Sequence, residues 1–502
     1  MSNGIECYMR PDTYLITTRK GKVLLDPRAS LPFKANSFPS VAVPRGLIPP
    51  DELHRITKKV VYLKPDSEPL LERYMHEMRE RLDACAFPVL TASVVGHRGI
   101  DDIVMTLSRA HTAQARAYQA MLKRYGMSSE VGDVSTVLPF DHYNNIFAVG
   151  GGGQTVARNL ILHSLHETAA PFLRSVLHLE KDFRPTTDYF MESLKDRPGR
   201  PISSFHYAVG NAMIEYLVEN KINSIPIIHY VNDPHHIHAN YLIHKNQPFV
   251  FYFVFDAVTA SMLKQKGVRK DHVFVTGFPL SDKLYVRPTV DEIKSQYSDE
   301  LSNKMTVSVF TGGLGGNQDE IVRIAQGFNF QTQRGIFYCG THGDLFERLK
   351  RQFERQKVKV RVVTSNSPSL ALQDNDEVVI IVGQELDDEL IALSYEAINE
   401  AHVVCTKPSG DIGIESLMAG KPIVPLARWG QHEGKIEEIM EDAGAIVAFK
   451  HPGQTVKKVE MKDLARTAFN ICDRLEINPP FPDHWEKLAM DALKSISAKR
   501  ET

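Results

Sequence analysis

In the C-terminal half of the chain, short apolar runs alternate with helical stretches and leave little choice of fold. The runs fall at residues 306–311, 335–339, 358–363, 378–382, 402–405, 423–426 and 445–449, with helical patterns at 318–327, 344–356 and 412–419. Strands that alternate with helices predict a parallel sheet covered on both faces and joined by right-handed crossovers. Ligands of such sheets bind beyond the carboxyl ends of the strands. Gly312, Gly313, Gly340, Gly383 and the Ser409-Gly410 pair follow strands directly, so they are expected along one edge.

A less regular series at 89–95, 146–149, 202–207, 225–230, 249–255 and 273–276 predicts a second Rossmann-like domain. A chain of 502 residues is too long for one ordinary core. The expected division is 1–85, an extension that pattern alone does not assign beyond a helical stretch at 68–84; 86–290 and 300–475, two Rossmann-like domains; and 476–502, a final helix. The linker is expected near 285–299, which is polar and contains Pro288. Pro479, Pro480 and Pro482 break any helix, and 485–496 then reads as amphipathic.

The formal net charge of −2 gives no reason to expect nucleic acid as a partner. No run approaches the roughly 18 apolar residues of a membrane span. The N-terminus lacks the basic-then-apolar order of a signal peptide, and the five cysteines are scattered without a C-x-x-C pair. A cytoplasmic location is expected. Arg19, Lys20 and Lys22 read as a solvated loop, with peripheral contact to an anionic inner membrane face as the alternative.

The segment 403–426, VVCTKPSGDIGIESLMAGKPIVPL, carries the most chemistry. A strand runs into Lys407-Pro408-Ser409-Gly410, and a helix with Glu415 and Ser416 follows. Such a turn can hold an anion or phosphate on free backbone N–H groups. A carboxylate one turn into the helix can accept hydrogen bonds from sugar hydroxyls. The plain alternative is an ordinary strand–turn–helix joint, of which every α/β protein has several. Gly150 to Gly153 is likewise either a plain turn or a place where a ligand comes close to backbone. The spacing of Asp233, His235, His236 and His238 matches no established zinc pattern, and no metal is expected.

Several stretches together resemble glycosyltransferases with two facing Rossmann domains, the GT-B architecture, and above all glycosyltransferase family 28. That family includes the monogalactosyl- and diglucosyl-diacylglycerol synthases and the peptidoglycan N-acetylglucosaminyltransferase. The resemblance covers roughly residues 202–447. In 225–241, IPIIHYVNDPHHIHANY, Asn232 stands where Thr is usual, while Asp233, His238 and Tyr241 match the family. Val275-Thr276-Gly277-Phe278-Pro279 resembles its Val-Thr-Gly-x-Pro turn. Residues 307–316 resemble the Gly-rich loop that opens the donor domain, and 336–349 the unit after it. Residues 407–422 resemble its Lys-Pro-Gly…Glu-Ser…Gly-x-Pro signature with Ser409 inserted, and Gly430-Gln431-His432-Glu433 its Gly-Gln-Glu turn.

The resemblance implies transfer of a sugar from a UDP-sugar, probed as a substrate rather than a cofactor, with inversion and without a bound metal. It implies a last helix that crosses back onto the N-terminal domain. It implies donor contacts from Gly151, Gly152, Gly153, Gly312, Gly313, Gly340, Gly383, Ser409, Gly410, Glu415, Ser416 and Gln431, with 86–290 as the acceptor domain. The acceptor is open: lipid, glycan, small molecule or protein. The family's base sits in a Gly-Gly-x-Gly-His turn. Here Gly96-His97 follows a strand without the earlier glycines, and Gly150–Gly153 leads into Gln154, which cannot act as a base. His97, Asp233 and His238 are the catalytic candidates. The alternatives are a sugar-nucleotide 2-epimerase of the same fold, whose N-terminal Gly-Thr-Arg-Pro-Glu pattern is missing here, and a non-catalytic nucleotide-sugar binder.

Overall fold

The computed structural model describes residues 6–10, 13–18, 21–25, 76, 79–81, 84, 87–91, 109–133, 179–196, 199–284, 288–297, 304–311, 317–447 (without 368, 384–385 and 429–430) and 460–501 (without 483). The sequence expectations at 146–149 and 150–154, at His97, and over most of 68–84 lie outside the described residues. Near the N-terminus, β1 (Glu6–Arg10), β2 (Thr13–Thr18) and β3 (Gly21–Leu25) form an antiparallel sheet that pattern alone did not anticipate.

The first parallel sheet contains β4 (Phe87–Thr91), β5 (Ser129–Asp133), β6 (Ile202–Ser204), β7 (Ile227–Tyr230), β8 (Val250–Val254) and β9 (Val273–Val275), in the order β5-β4-β6-β7-β8-β9. Its helices are α1 (Arg109–Arg124), α2 (Leu179–Leu194), α3 (Tyr207–Glu219) and α4 (Ala257–Gln265). Burial on both faces explains the continuous apolar runs. Along β8, Val250, Tyr252 and Val254 enter one core while Phe251 and Phe253 enter another. The polar strand β5, SEVGD, was not anticipated.

Helix α5 (Val290–Gln296) occupies the expected linker. Thr289 and Glu292 cap its start reciprocally, a sequence signal for a helix there rather than a coil. The second parallel sheet follows with β10 (Met305–Phe310), α6 (Gln318–Gln326), β11 (Gln333–Gly340), α7 (Gly343–Arg355), β12 (Val360–Val363), β13 (Val378–Val382), α8 (Asp388–Asn399), β14 (Val403–Thr406), α9 (Ile412–Met418) and β15 (Ile423–Pro425). Its order is β12-β13-β11-β10-β14-β15. The run at 445–449 makes one parallel bridge, Ile423 with Ile446, and no strand in the described residues. Helices α10 (Gln431–Asp442), α11 (Met461–Ile477) and α12 (Trp485–Glu501) complete the chain.

Two facing Rossmann-like domains result, the GT-B arrangement. Helix α12 crosses back onto the first. A Cβ at Gly277, just past β9, would lie 2.8 Å from Trp485 Cβ, and the positive φ of 78° there also favours glycine. Trp485 and Phe481 join Phe253, Phe255 and Phe278 of the first domain and Leu417 and Ile436 of the second in one apolar cluster.

Candidate active site

Each sheet has a switch point, where the chain leaves one side of its first strand and returns on the other. In the second sheet it lies between β10 and β14, and in the first between β4 and β6. Crevices beyond the carboxyl ends of strands at such points are where open α/β sheets bind ligands. Residues 407–411 leave β14 at one switch point, and Phe205 to Tyr207 leave β6 at the other.

These edges touch. A Cβ on Gly410 would lie 2.8 Å from the Asn232 carbonyl oxygen and 3.5 Å from Asp233 Oδ1, so only glycine allows the two backbones this close. Gln114 Nε2, from the first helix, donates to the Gly410 carbonyl at 2.9 Å. Arg116 pairs with Asp388 of the other domain at 2.9 Å on the surface, where such pairs contribute little.

On the second domain's side, Ser409, Glu415 and Ser416 are buried at 8%, 2% and 0% exposure. Ser416 Oγ has no hydrogen-bond partner, which leaves a hydroxyl to be satisfied. Gly340 and Gly383 also come together, with the Gly383 N–H donating to the Gly340 carbonyl at 2.9 Å. Gly312 and Gly313 lie outside the described residues, as do Gly151, Gly152 and Gly153. Gln431 opens α10, but its side chain is also outside them. Lys407 pairs with the buried Glu433. Burial alone would lower the Lys407 pKa, but Glu433, Asp411 and Asp233 outweigh it and hold the amine above its usual range.

On the first domain's side, Asp233 sits amid imidazoles from both domains. Burial alone would raise its pKa, but His432, His236, His111 and His238 outweigh that and hold it below the usual carboxylate range. His236 and His432, one from each domain, have ring centroids 5.9 Å apart. His238 Nδ1 accepts from the Asn240 N–H at 3.3 Å, which fixes its ring, and the ring stacks on Tyr207 at 4.9 Å. Tyr207 stacks in turn on His206, and His206 meets His111 edge-on at 5.0 Å. Burial lowers the pKa of His111 against the pull of Asp233, and lowers that of His206 further. Asn232 Nδ2 donates to the Phe205 carbonyl and contacts His111 Nδ1.

Sequence reasoning named Asp233, His238, Ser409 and Gly410, and the structure brings these edges together. It missed His111, Gln114, Tyr207, Lys407 and Glu433. Lys407 and Glu433 lie inside quoted motifs, and a basic residue at a strand end before a Gly-containing turn was a usable signal. His111 and Gln114 share one face of α1 at a spacing of three, which means nothing until that face has a partner. Burial pushes the Cys339 and Cys405 thiols well up, so neither is a nucleophile at neutral pH. Among the described residues, no group of three or more His, Cys, Asp and Glu could hold a metal ion, and no helix is long and apolar enough to cross a membrane.

No protein-family profile matches the chain, and no curated protein matches it. Solved structures do. The chain is similar to MnaA of S. aureus, in a structure with UDP, at 13% identity over 80% of this chain and 94% of that one, with a TM-score of 0.42. It is similar to MurG of Acinetobacter baumannii at 11% identity, 81% and 99% coverage and a TM-score of 0.44. It is also similar to the UDP-GlcNAc 2-epimerase of Neisseria meningitidis bound to UDP-GlcNAc, at 12% identity, 81% and 99% coverage and a TM-score of 0.44.

Proposed function

We propose that the chain is a glycosyltransferase that moves a sugar from a UDP-sugar to an acceptor hydroxyl with inversion. The observation that carries this is the apposition of the Ser409-Gly410 turn with Asn232-Asp233 at the carboxyl edges of two parallel sheets. An anion-holding turn with Lys407 beside it suits a diphosphate leaving group, and the facing carboxylate and imidazoles suit proton transfer.

In the proposed reaction the acceptor oxygen attacks the anomeric carbon, the bond from that carbon to the diphosphate breaks, and UDP departs. Charge growing on the diphosphate is met by Lys407 and the Ser409-Gly410 turn. The acceptor proton passes to an imidazole. Asp233, held below the usual carboxylate range, is a weak base but stays ionised and stabilises the imidazolium. His432, His236, His111 and His238 are the described imidazoles beside it, and His97 is a further candidate from the sequence. Glu415 and Ser416 take the ribose.

Incubation with UDP-glucose, UDP-galactose and UDP-GlcNAc tests the proposal. A transferase releases UDP slowly alone and faster with an acceptor. A 2-epimerase changes the configuration of the sugar, and a binding protein does neither; either result would replace the proposal. UDP at about 100 times its dissociation constant should add about 2.7 kcal/mol of stability, and no stabilisation by any of the three sugars or UDP would end it.

A further inference from the structure

Two buried side-chain oxygens at the domain contact have no partner: Gln114 Oε1 and Asn232 Oδ1. Gln114 is 1% exposed and Asn232 3%. Their orientations are forced. Gln114 Nε2 faces the Gly410 carbonyl and Asn232 Nδ2 faces the Phe205 carbonyl, and a carbonyl can only accept. Each amide oxygen is therefore the atom left over. Both amides are tied to Gly410, Gln114 through its hydrogen bond and Asn232 through the close approach of its backbone oxygen, and the Asp233 carboxylate adjoins them.

This side of the contact is thus furnished with acceptors. Buried acceptors left without donors are costly, and a ligand that supplies the donors recovers that cost. A phosphate or carboxylate has no protons to offer at neutral pH and would face Asp233 and Asp411. A free ammonium has protons, but Lys407 already brings a cation into the field of Asp233. A neutral ring carrying several hydroxyls fits both constraints. Building on the transferase reading above, we infer that the acceptor is a neutral polyhydroxyl group, a sugar ring or polyol, whose hydroxyls donate to Gln114 Oε1 and Asn232 Oδ1 while the reacting hydroxyl faces Asp233.

The test compares UDP release by the full chain from its preferred UDP-sugar with methyl glucoside, glucose 6-phosphate, glucosamine or 1-hexanol added. Methyl glucoside should raise release at least tenfold above the acceptor-free rate, and the other three should fall well short of it. Gln114→Met and Asn232→Thr, made separately, should each raise the KM for methyl glucoside about tenfold, and by clearly more than they raise the KM for the UDP-sugar. That ratio separates acceptor binding from a mere latch on Gly410, which would act on the UDP-sugar first. Equal stimulation by glucose 6-phosphate or hexanol, or stronger stimulation by glucosamine, overturns the inference. So does a rise in the KM for the UDP-sugar rather than for methyl glucoside in the variants. UDP binding by the wild type without stimulation by methyl glucoside overturns this inference alone, whereas absence of UDP binding overturns the transferase reading with it.

Discussion

The two domains meet in two unlike ways. One contact is an apolar seam in which Trp485, Phe481, Phe278 and Phe255 pack with Leu417, Ile436 and Met440. The other is a polar cleft, where Gly410 presses on Asn232 and Asp233 and leaves amide oxygens without partners. The seam is satisfied as it stands, since burial of apolar surface asks for no specific partner. The cleft is not, because buried polar groups demand donors and acceptors in set directions. The seam therefore holds the geometry, and the polar contact is where the proposed chemistry would take place.

Breaking the seam should have the largest effect on stability. Trp485→Ala removes a side chain that is 7% exposed in the joint cluster, and such truncations cost about 3–5 kcal/mol. Chemical denaturation should show a loss of that size. A loss within experimental error would mean that α12 does not hold the domains together. On the cleft side, Glu415→Ala should weaken UDP binding by about 1.5–3 kcal/mol, the value of a charged hydrogen bond, and calorimetry reads it directly. Unchanged affinity would remove Glu415 from the ribose site.

A third buried region sharpens the contrast, because it is polar but its amine already has acceptors. Lys421 Nζ donates to Gln296 Oε1 at 2.9 Å and to the Asn399 carbonyl at 2.8 Å. Burial pushes its pKa down to about 7, against the opposing pull of Glu400 and Cys472. Between that value and its usual 10.5, the unfolded chain binds more protons than the folded one. Stability from this group therefore rises with pH across that window, by up to about 1.4 kcal/mol per unit, and is lost as pH falls through the folded value. Lys421→Met should flatten that part of the stability–pH curve. A slope unchanged by the substitution would show that Lys421 is not its source.

The second sheet was legible because a strand buried on both faces is a continuous apolar run, as in Val378-Val379-Ile380-Ile381. The polar strand β5 and the antiparallel β1–β3 carry no such run, and pattern reading passed over them. The helix at Val290–Gln296 was hidden by its polar composition, although the Thr289 and Glu292 capping pair was there to be read. At the site, Ser409, Gly410, Asp233 and His238 stood out as motifs within single domains. Their apposition did not, because local periodicity reports which residues share an element's face and says nothing of which faces meet across domains. Gln114 gains its meaning only from the Gly410 carbonyl, nearly 300 residues away.

The proposed nucleotide-sugar site lies where these two edges meet. A crystal structure of the complex with UDP tests it most directly. The expected result is the diphosphate against Ser409, Gly410 and Lys407 and the ribose by Glu415 and Ser416, with Asp233 left facing the acceptor side. UDP bound away from both strand edges, with Gly410 still closed on Asn232, would contradict it.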